Sequence, residues 1–259
     1  MSRLLGSGAA VAASAVLVAA CGSSGTQSGQ PSGGPGSAAA HATDVASSSA
    51  PLRASAPVTK ARALAFARAV NLTAADVPEA KTSRRHESQG EETETCGLAG
   101  RQQELAGVGS PTLTRGSELE LEEIKSGADV VSSERFAVRD VAVLRSTAGR
   151  ACLERYLSRR YLRHAVGKRA FDAHIGQIQL SPIPVEAPGT SGSAGLRITM
   201  TVSSSESETS VPVYIVFFVF TLGPAEVSVS AASAVQPEPE ATDKQLVALL
   251  LQRAKSTPL

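Results

Sequence analysis

Only about the last 200 residues of this chain can form a hydrophobic core. The stretch from Gly22 to Thr59 is dominated by Gly, Ser, Ala, Pro and Thr and holds few large apolar side chains. Such a segment cannot bury enough surface to offset the entropy lost on ordering. We therefore expect a flexible tether over residues 22–59, with a root-mean-square span of about 35 Å, followed by a single domain over residues 60–259.

The first 21 residues have the pattern of a secretory signal peptide. Arg3 is followed by small and apolar residues that lead to the run Leu17-Val18-Ala19-Ala20-Cys21. A basic residue, an apolar stretch and small residues before a cleavage site form such a signal. The alternative is a transmembrane anchor, but residues 4–20 are mostly Ala, Gly, Ser and Val and are too weakly hydrophobic to favour a spanning helix.

The cysteine at the cleavage position makes this signal resemble a bacterial lipobox. The resemblance implies cleavage before Cys21, attachment of diacylglycerol to its sulfur and acylation by chains such as palmitate. One acyl chain anchors a protein only marginally, whereas two or three hold it durably on a membrane. We therefore expect a lipid-anchored protein on the extracytoplasmic face of the cell membrane.

The composition of the chain argues against nucleic acid as a partner. The formal net charge is +1, so no strong overall field attracts a polyanion. The chain has no Trp, three Tyr and six Phe, whereas single-stranded nucleic-acid sites usually present exposed aromatic side chains. We expect neither a nucleic-acid partner nor a cofactor.

Two cysteines remain once Cys21 is assigned to lipid. Cys96 and Cys152 are an even pair in an oxidising compartment, which predicts a disulfide. The alternatives are a metal site, which would want nearby histidines, and a redox pair, which would more often be spaced as Cys-x-x-Cys. No metal site is expected.

The periodicity of apolar residues predicts an α+β domain in which helices flank an antiparallel sheet. Helical spacing is found over residues 60–70, 137–144 and 148–166, and in a final helix capped by Thr242. A period of two predicts strands over residues 178–183, 196–202 and 227–229, and the doubly apolar run 211–222 is typical of a central strand.

Glutamates alternate with leucines in the region before the second predicted helix. Glu118, Glu120 and Glu122 alternate with Leu119 and Leu121, which predicts a half-buried strand over 117–122 with an acidic face in solvent. A second strand is expected around residues 128–136. Calcium binding is the alternative use of these carboxylates, but no Asp/Asn-Gly loop accompanies them.

The predicted helix over residues 148–166 carries a basic stripe. Arg155, Arg159 and Arg163 recur at every fourth position and therefore share one face. Such a stripe is either an ordinary hydrated surface or a contact for anionic lipid headgroups.

The order of short motifs resembles a known group of proteins. Leu72-Thr73-Ala74-Ala75-Asp76-Val77-Pro78 opens the domain, Ser110-Pro111 follows Cys96, Leu144-Arg145-Ser146 precedes Cys152, and Gly223-Pro224-Ala225-Glu226-Val227 precedes the last strand and helix. Together these look like small actinobacterial lipoproteins of mycobacterial type and, more distantly, the extracellular sensor domain of actinobacterial serine/threonine kinases. The resemblance implies a PsbP-like fold. The kinase sensors carry two disulfides, whereas only one pair is available here.

No reactive constellation accompanies these motifs. The sequence lacks Gly-x-Ser-x-Gly, His-Glu-x-x-His and the glycine-rich phosphate loops. His86 and His164 each have an ordinary explanation, at a polar stretch and at a helix end. We therefore expect no catalytic residue and a sensor-like module that binds an unidentified ligand or protein of the envelope in an apolar cleft. An envelope hydrolase and a purely structural lipoprotein are the alternatives.

Overall fold

The computed structural model describes residues 57–83, 96, 104–116, 122–167, 173–204, 210–234, 236–237 and 239–259. Cys21, the predicted signal, most of the predicted tether and His86 lie outside the described residues. Within them, no helix combines the length and hydropathy that crossing a membrane requires.

Four helices and nine strands make up the described part of the chain. The helices are α1 (Lys60–Val70), α2 (Glu134–Arg145), α3 (Thr147–Gly167) and α4 (Glu240–Ser256). The strands are β1 (Lys81–Ser83), β2 (Glu104–Gly109), β3 (Thr112–Arg115), β4 (Glu122–Val131), β5 (Ala173–Ile175), β6 (Gln179–Ile183), β7 (Gly192–Ser204), β8 (Ser210–Leu222) and β9 (Ala225–Ala234).

All nine strands pair in one antiparallel sheet. The main order is β1-β3-β4-β9-β8-β7-β5, while β2 also pairs with β4 and β6 with β7. A two-residue turn at Gly223-Pro224 joins β8 to β9, and Gly223 adopts a positive φ of 57°, a conformation that glycine reaches at little cost. The predicted α+β class with helices on an antiparallel sheet is confirmed.

Strand β8 lies in the middle of the sheet and is covered on both faces. Val216, Phe218 and Phe220 join a core with α1 and α4, which includes Phe66 and Leu250. The residues of β8 that point the other way pack beneath α2 and α3, with Leu157 of α3 and Val141 of α2. This double burial is the reason why the run 211–222 has no polar face.

Residues 117–121 of the predicted acidic strand, with Glu118 and Glu120, lie outside the described residues. For Glu122 the predicted exposure to solvent is wrong. Glu122 and Glu123 are each only 6% exposed, and they begin the long strand β4 rather than end a short one. Consecutive residues of a strand point to opposite faces of the sheet, so their burial shows that both faces of β4 are covered at this point. Arg115 on β3 pairs with Glu122, which offsets the cost of burying that carboxylate.

Two further boundaries differ from prediction. The strand expected over 128–136 is the second half of β4, which ends at Val131 before α2 begins at Glu134. Thr242 is not the cap of α4, because the helix begins at Glu240 after the N-cap residue Pro239. The backbone N–H of Thr242 donates to the carbonyl of Pro239 and therefore lies inside the first turn.

A buried polar network fixes the segment after α1 to the sheet and to α4. The Asn71 side chain donates to the carbonyls of Ala67 and Val108, at 2.9 and 2.6 Å, and accepts from the Ser126 hydroxyl at 2.8 Å. Asn71 is only 6% exposed. Asn71, Leu72 and Thr73 fit the Asn-x-Thr pattern of a glycosylation site, but the side chain of Asn71 has a structural role instead of lying at the surface as an acceptor for sugar.

Arg253 of α4 completes the attachment of this segment. Its guanidinium donates to the carbonyl of Asn71 and to both carboxylate oxygens of Asp76, over 2.6–2.9 Å. Burial alone would raise the pKa of Asp76, but the hydrogen bonds from Arg253 and Thr73 hold that pKa below its usual value. The Leu72–Pro78 motif is therefore a docking segment for the last helix.

Candidate binding surface on the second and third helices

The two cysteines of the domain form the predicted disulfide. Cys96 and Cys152 are bonded, with their Cα atoms 5.6 Å apart and 56 residues apart in sequence. Cys152 lies in the second turn of α3, so the bond attaches the segment before β2 to this helix. The predicted pairing of Cys96 with Cys152 is confirmed.

We expect replacement of both cysteines by serine to lower the free energy of unfolding by about 2–4 kcal/mol, because the unfolded chain regains the entropy of a long open loop. Urea unfolding of the variant and of the wild type gives the difference. The reduced wild type serves as the control and should match the variant. Equal stability of the variant and the oxidised wild type would contradict a stabilising bond.

Helix α3 carries the predicted basic stripe. Arg155 is exposed, and Leu157, two residues further, is buried against the sheet. Arg159 and Arg163 lie four and eight residues beyond Arg155 in the same helix. Their side chains are outside the described residues, as is that of His164 in the last turn.

Helix α2 contributes arginines that the sequence analysis missed. Arg135, Arg139 and Arg145 are exposed, whereas Ala137, Asp140 and Val141 are buried. We call the exposed arginines of the two helices the basic face: Arg135, Arg139, Arg145 and Arg155. The sequence signal for Arg135 and Arg139 is their spacing of four residues, which places them on one side of a helix. Arg145 lies on the flank of α2, four residues after the buried Val141.

A small cleft opens at the edge of the basic face. It has a volume of about 170 Å³ and lies between α2 and the first residues of β7, lined by Val138, Val141, Ala142, Arg145, Ser191 and Gly192. The Ser191 hydroxyl donates to the Glu134 carboxylate beside it. Pockets for small molecules usually measure about 300–1,000 Å³, so this cleft admits only a small group.

A cluster of carboxyl groups, which we call the carboxyl cluster, lies between α2 and the sheet. Asp129 of β4 and Asp140 of α2 are each 7% exposed, and Glu226 of β9 lies opposite Asp129 in the sheet. Burial, followed by the nearby charges of Asp140, Asp129 and Glu104, raises the pKa of Glu226 to about 9. Glu226 is therefore protonated at neutral pH.

The carboxyl cluster is separate from the cleft. Among the residues that the structure describes, no group of three or more His, Cys, Asp or Glu side chains has the arrangement needed to hold a metal ion. The residues that line the cleft include none of the clustered carboxyls. The cluster therefore lies under the candidate surface and not in it.

Comparisons with known proteins give one distant match. No family profile matches this chain, and no curated protein matches it. The extracellular domain of PknH from Mycobacterium tuberculosis aligns with a TM-score of 0.38 and 12% identity, over 77% of this chain and 98% of that chain. A similarity this distant carries no functional argument, and the PsbP-like resemblance stays a prediction.

Proposed function

We propose that this protein is a lipid-anchored, extracytoplasmic binding module of the cell envelope and that it catalyses no reaction. The observation that carries the proposal is the disulfide between Cys96 and Cys152. Structural disulfides persist mainly in oxidising compartments outside the cytoplasm. The signal-like residues 1–21 and the lipobox-like Cys21 agree with that location.

The shape of the candidate surface favours a partner that binds across α2 and α3 rather than a ligand enclosed in a pocket. The cleft beside α2 is only about 170 Å³, too small for a whole lipid or glycan. Arg145 lines the cleft, and the other arginines of the basic face are exposed on the same two helices. An anionic partner that spreads over the two helices fits this surface best.

One observation favours the alternative of an envelope hydrolase. A carboxylic acid that stays neutral at pH 7, as Glu226 does, can act as a general acid. However, Glu226 lies under α2 and does not line the cleft. We therefore prefer the binding module.

The anchor is tested by Cys21→Ser. Serine cannot take a thioether-linked lipid, so we expect this variant either to leave the membrane fraction or to keep residues 1–20 uncleaved. Fractionation with an intact-mass measurement distinguishes the outcomes. The Cys96→Ser/Cys152→Ser variant is the matched control and should stay in the membrane fraction. Unchanged membrane association of Cys21→Ser, with a mature start other than residue 21, would contradict the anchor.

A further inference from the structure

The arginines of the basic face lie on one continuous layer. α2 and α3 follow each other in the chain, contact each other and cover the same side of the sheet. Arg135 and Arg145 are about 15 Å apart along the axis of α2 at 1.5 Å per residue, and Arg155 extends the positive charge onto α3. The guanidinium groups are thus spread over a surface and do not converge on a point.

Charge is strongly segregated in this protein. The segment Glu134–Gly167 holds eight arginines and three carboxylic acids, which gives it a net charge of +5. The whole chain carries +1, so the remaining residues carry −4. One of the three acids, Asp140, is buried on the inner side of α2 and faces away from the basic face. By contrast, α4 on the other side of the sheet pairs Lys244 with Glu240 at 2.9 Å.

We propose that the basic face holds the domain against a bilayer surface rich in anionic headgroups. A spread row of guanidinium groups fits several phosphates lying in a plane, because each group can pair with a different headgroup. Each basic residue near such a surface strengthens binding about fivefold. The inference names the partner of the proposed binding module and rests on its extracytoplasmic location. The tether predicted over residues 22–59, with an expected span of about 35 Å, is long enough for this face to reach the membrane.

The test uses the full chain with Cys21→Ser, so that no thioether-linked lipid contributes. Its partition coefficient is measured on vesicles of equal parts phosphatidylglycerol and phosphatidylcholine, and on phosphatidylcholine alone. The ratio of the two isolates the electrostatic contribution. We expect Arg135→Gln/Arg145→Gln/Arg155→Gln to lower this ratio roughly 100-fold with an unchanged Tm. Raising the salt to 1 M, where the Debye length is about 3 Å, should do the same to the parent chain.

A matched control removes the same charge from the other side of the sheet. Lys60, Arg62 and Arg68 are exposed on α1, and their triple replacement by glutamine should keep most of the ratio. An equal loss in both triple variants, or no preference of the parent chain for anionic vesicles, would overturn the proposal. Self-association that only the basic-face variant abolishes, without any vesicle preference, would make the face an interface between copies and also overturn it. The membrane fractionation of Cys21→Ser is a separate measurement, so the two proposals can fail independently.

Discussion

Glu226→Gln is expected to make the protein more stable at pH 8 and to leave its stability unchanged at pH 4. The pKa of Glu226 is about 9 in the folded protein, against an ordinary value of 4.5. Between these values the folded state keeps a proton that the unfolded state has lost. Stability therefore falls as the pH rises through this window, by up to about 1.4 kcal/mol per unit. Glutamine is neutral throughout and removes this contribution.

The size of the effect makes it measurable by urea unfolding at pH 5, 6, 7 and 8. At pH 8 the variant should exceed the wild type by about 3–5 kcal/mol, with a smaller difference at each lower pH. Glu186→Gln is the control, because Glu186 is exposed and lies outside the carboxyl cluster. That control should keep the wild-type slope. A Glu226→Gln variant with the wild-type slope would show that Glu226 ionises freely in the folded protein.

Asn71→Leu is expected to lower the free energy of unfolding by roughly 2–5 kcal/mol, because it leaves buried partners without their hydrogen bonds. The leucine side chain is similar in size but cannot donate to the carbonyls of Ala67 and Val108 or accept from Ser126. Ser126 is only 1% exposed, and its hydroxyl oxygen also accepts from the backbone N–H of Leu72 at 2.8 Å. Urea unfolding measures the loss.

The control for Asn71→Leu removes a hydrogen bond that water can replace. The exposed Ser256 hydroxyl donates to the carbonyl of Arg253 at 3.0 Å, and Ser256→Ala should cost less than about 0.5 kcal/mol. If Asn71→Leu also stays within this limit, the network contributes little and the Leu72–Pro78 segment is held by apolar packing alone.

The second half of the fold could be predicted from the sequence because its apolar residues keep a single period. Leu196, Ile198, Met200 and Val202 alternate and are all buried in β7. The run 211–222 lacks a polar face and forms the central strand β8. Local pattern and tertiary environment agree here, which is the condition under which periodicity is informative.

The acidic strand could not be predicted because alternation identifies two faces but not their environments. Glu122 and Glu123 look like solvent residues in sequence, and only the covering of both faces of β4 by the rest of the fold buries them. The same limit applies to Glu226, whose altered pKa depends on Asp140 and Asp129 from other elements. Such long-range placement leaves no local signal.

Only part of the candidate surface could be predicted from the sequence. The regular spacing of Arg155, Arg159 and Arg163 predicts a basic stripe on α3, whereas the arginines of α2 are interrupted by apolar residues. They become part of one surface only because α2 and α3 cover the same side of the sheet.

Peptide mapping under non-reducing conditions, on the protein purified from the membrane fraction, reports both the lipid anchor and the disulfide. We expect a mature chain that begins at Cys21 with acyl chains on that residue, and a single cross-linked peptide that joins Cys96 to Cys152. A chain that begins at Met1 without lipid, with Cys96 and Cys152 as thiols, would contradict both the anchor and the oxidising compartment.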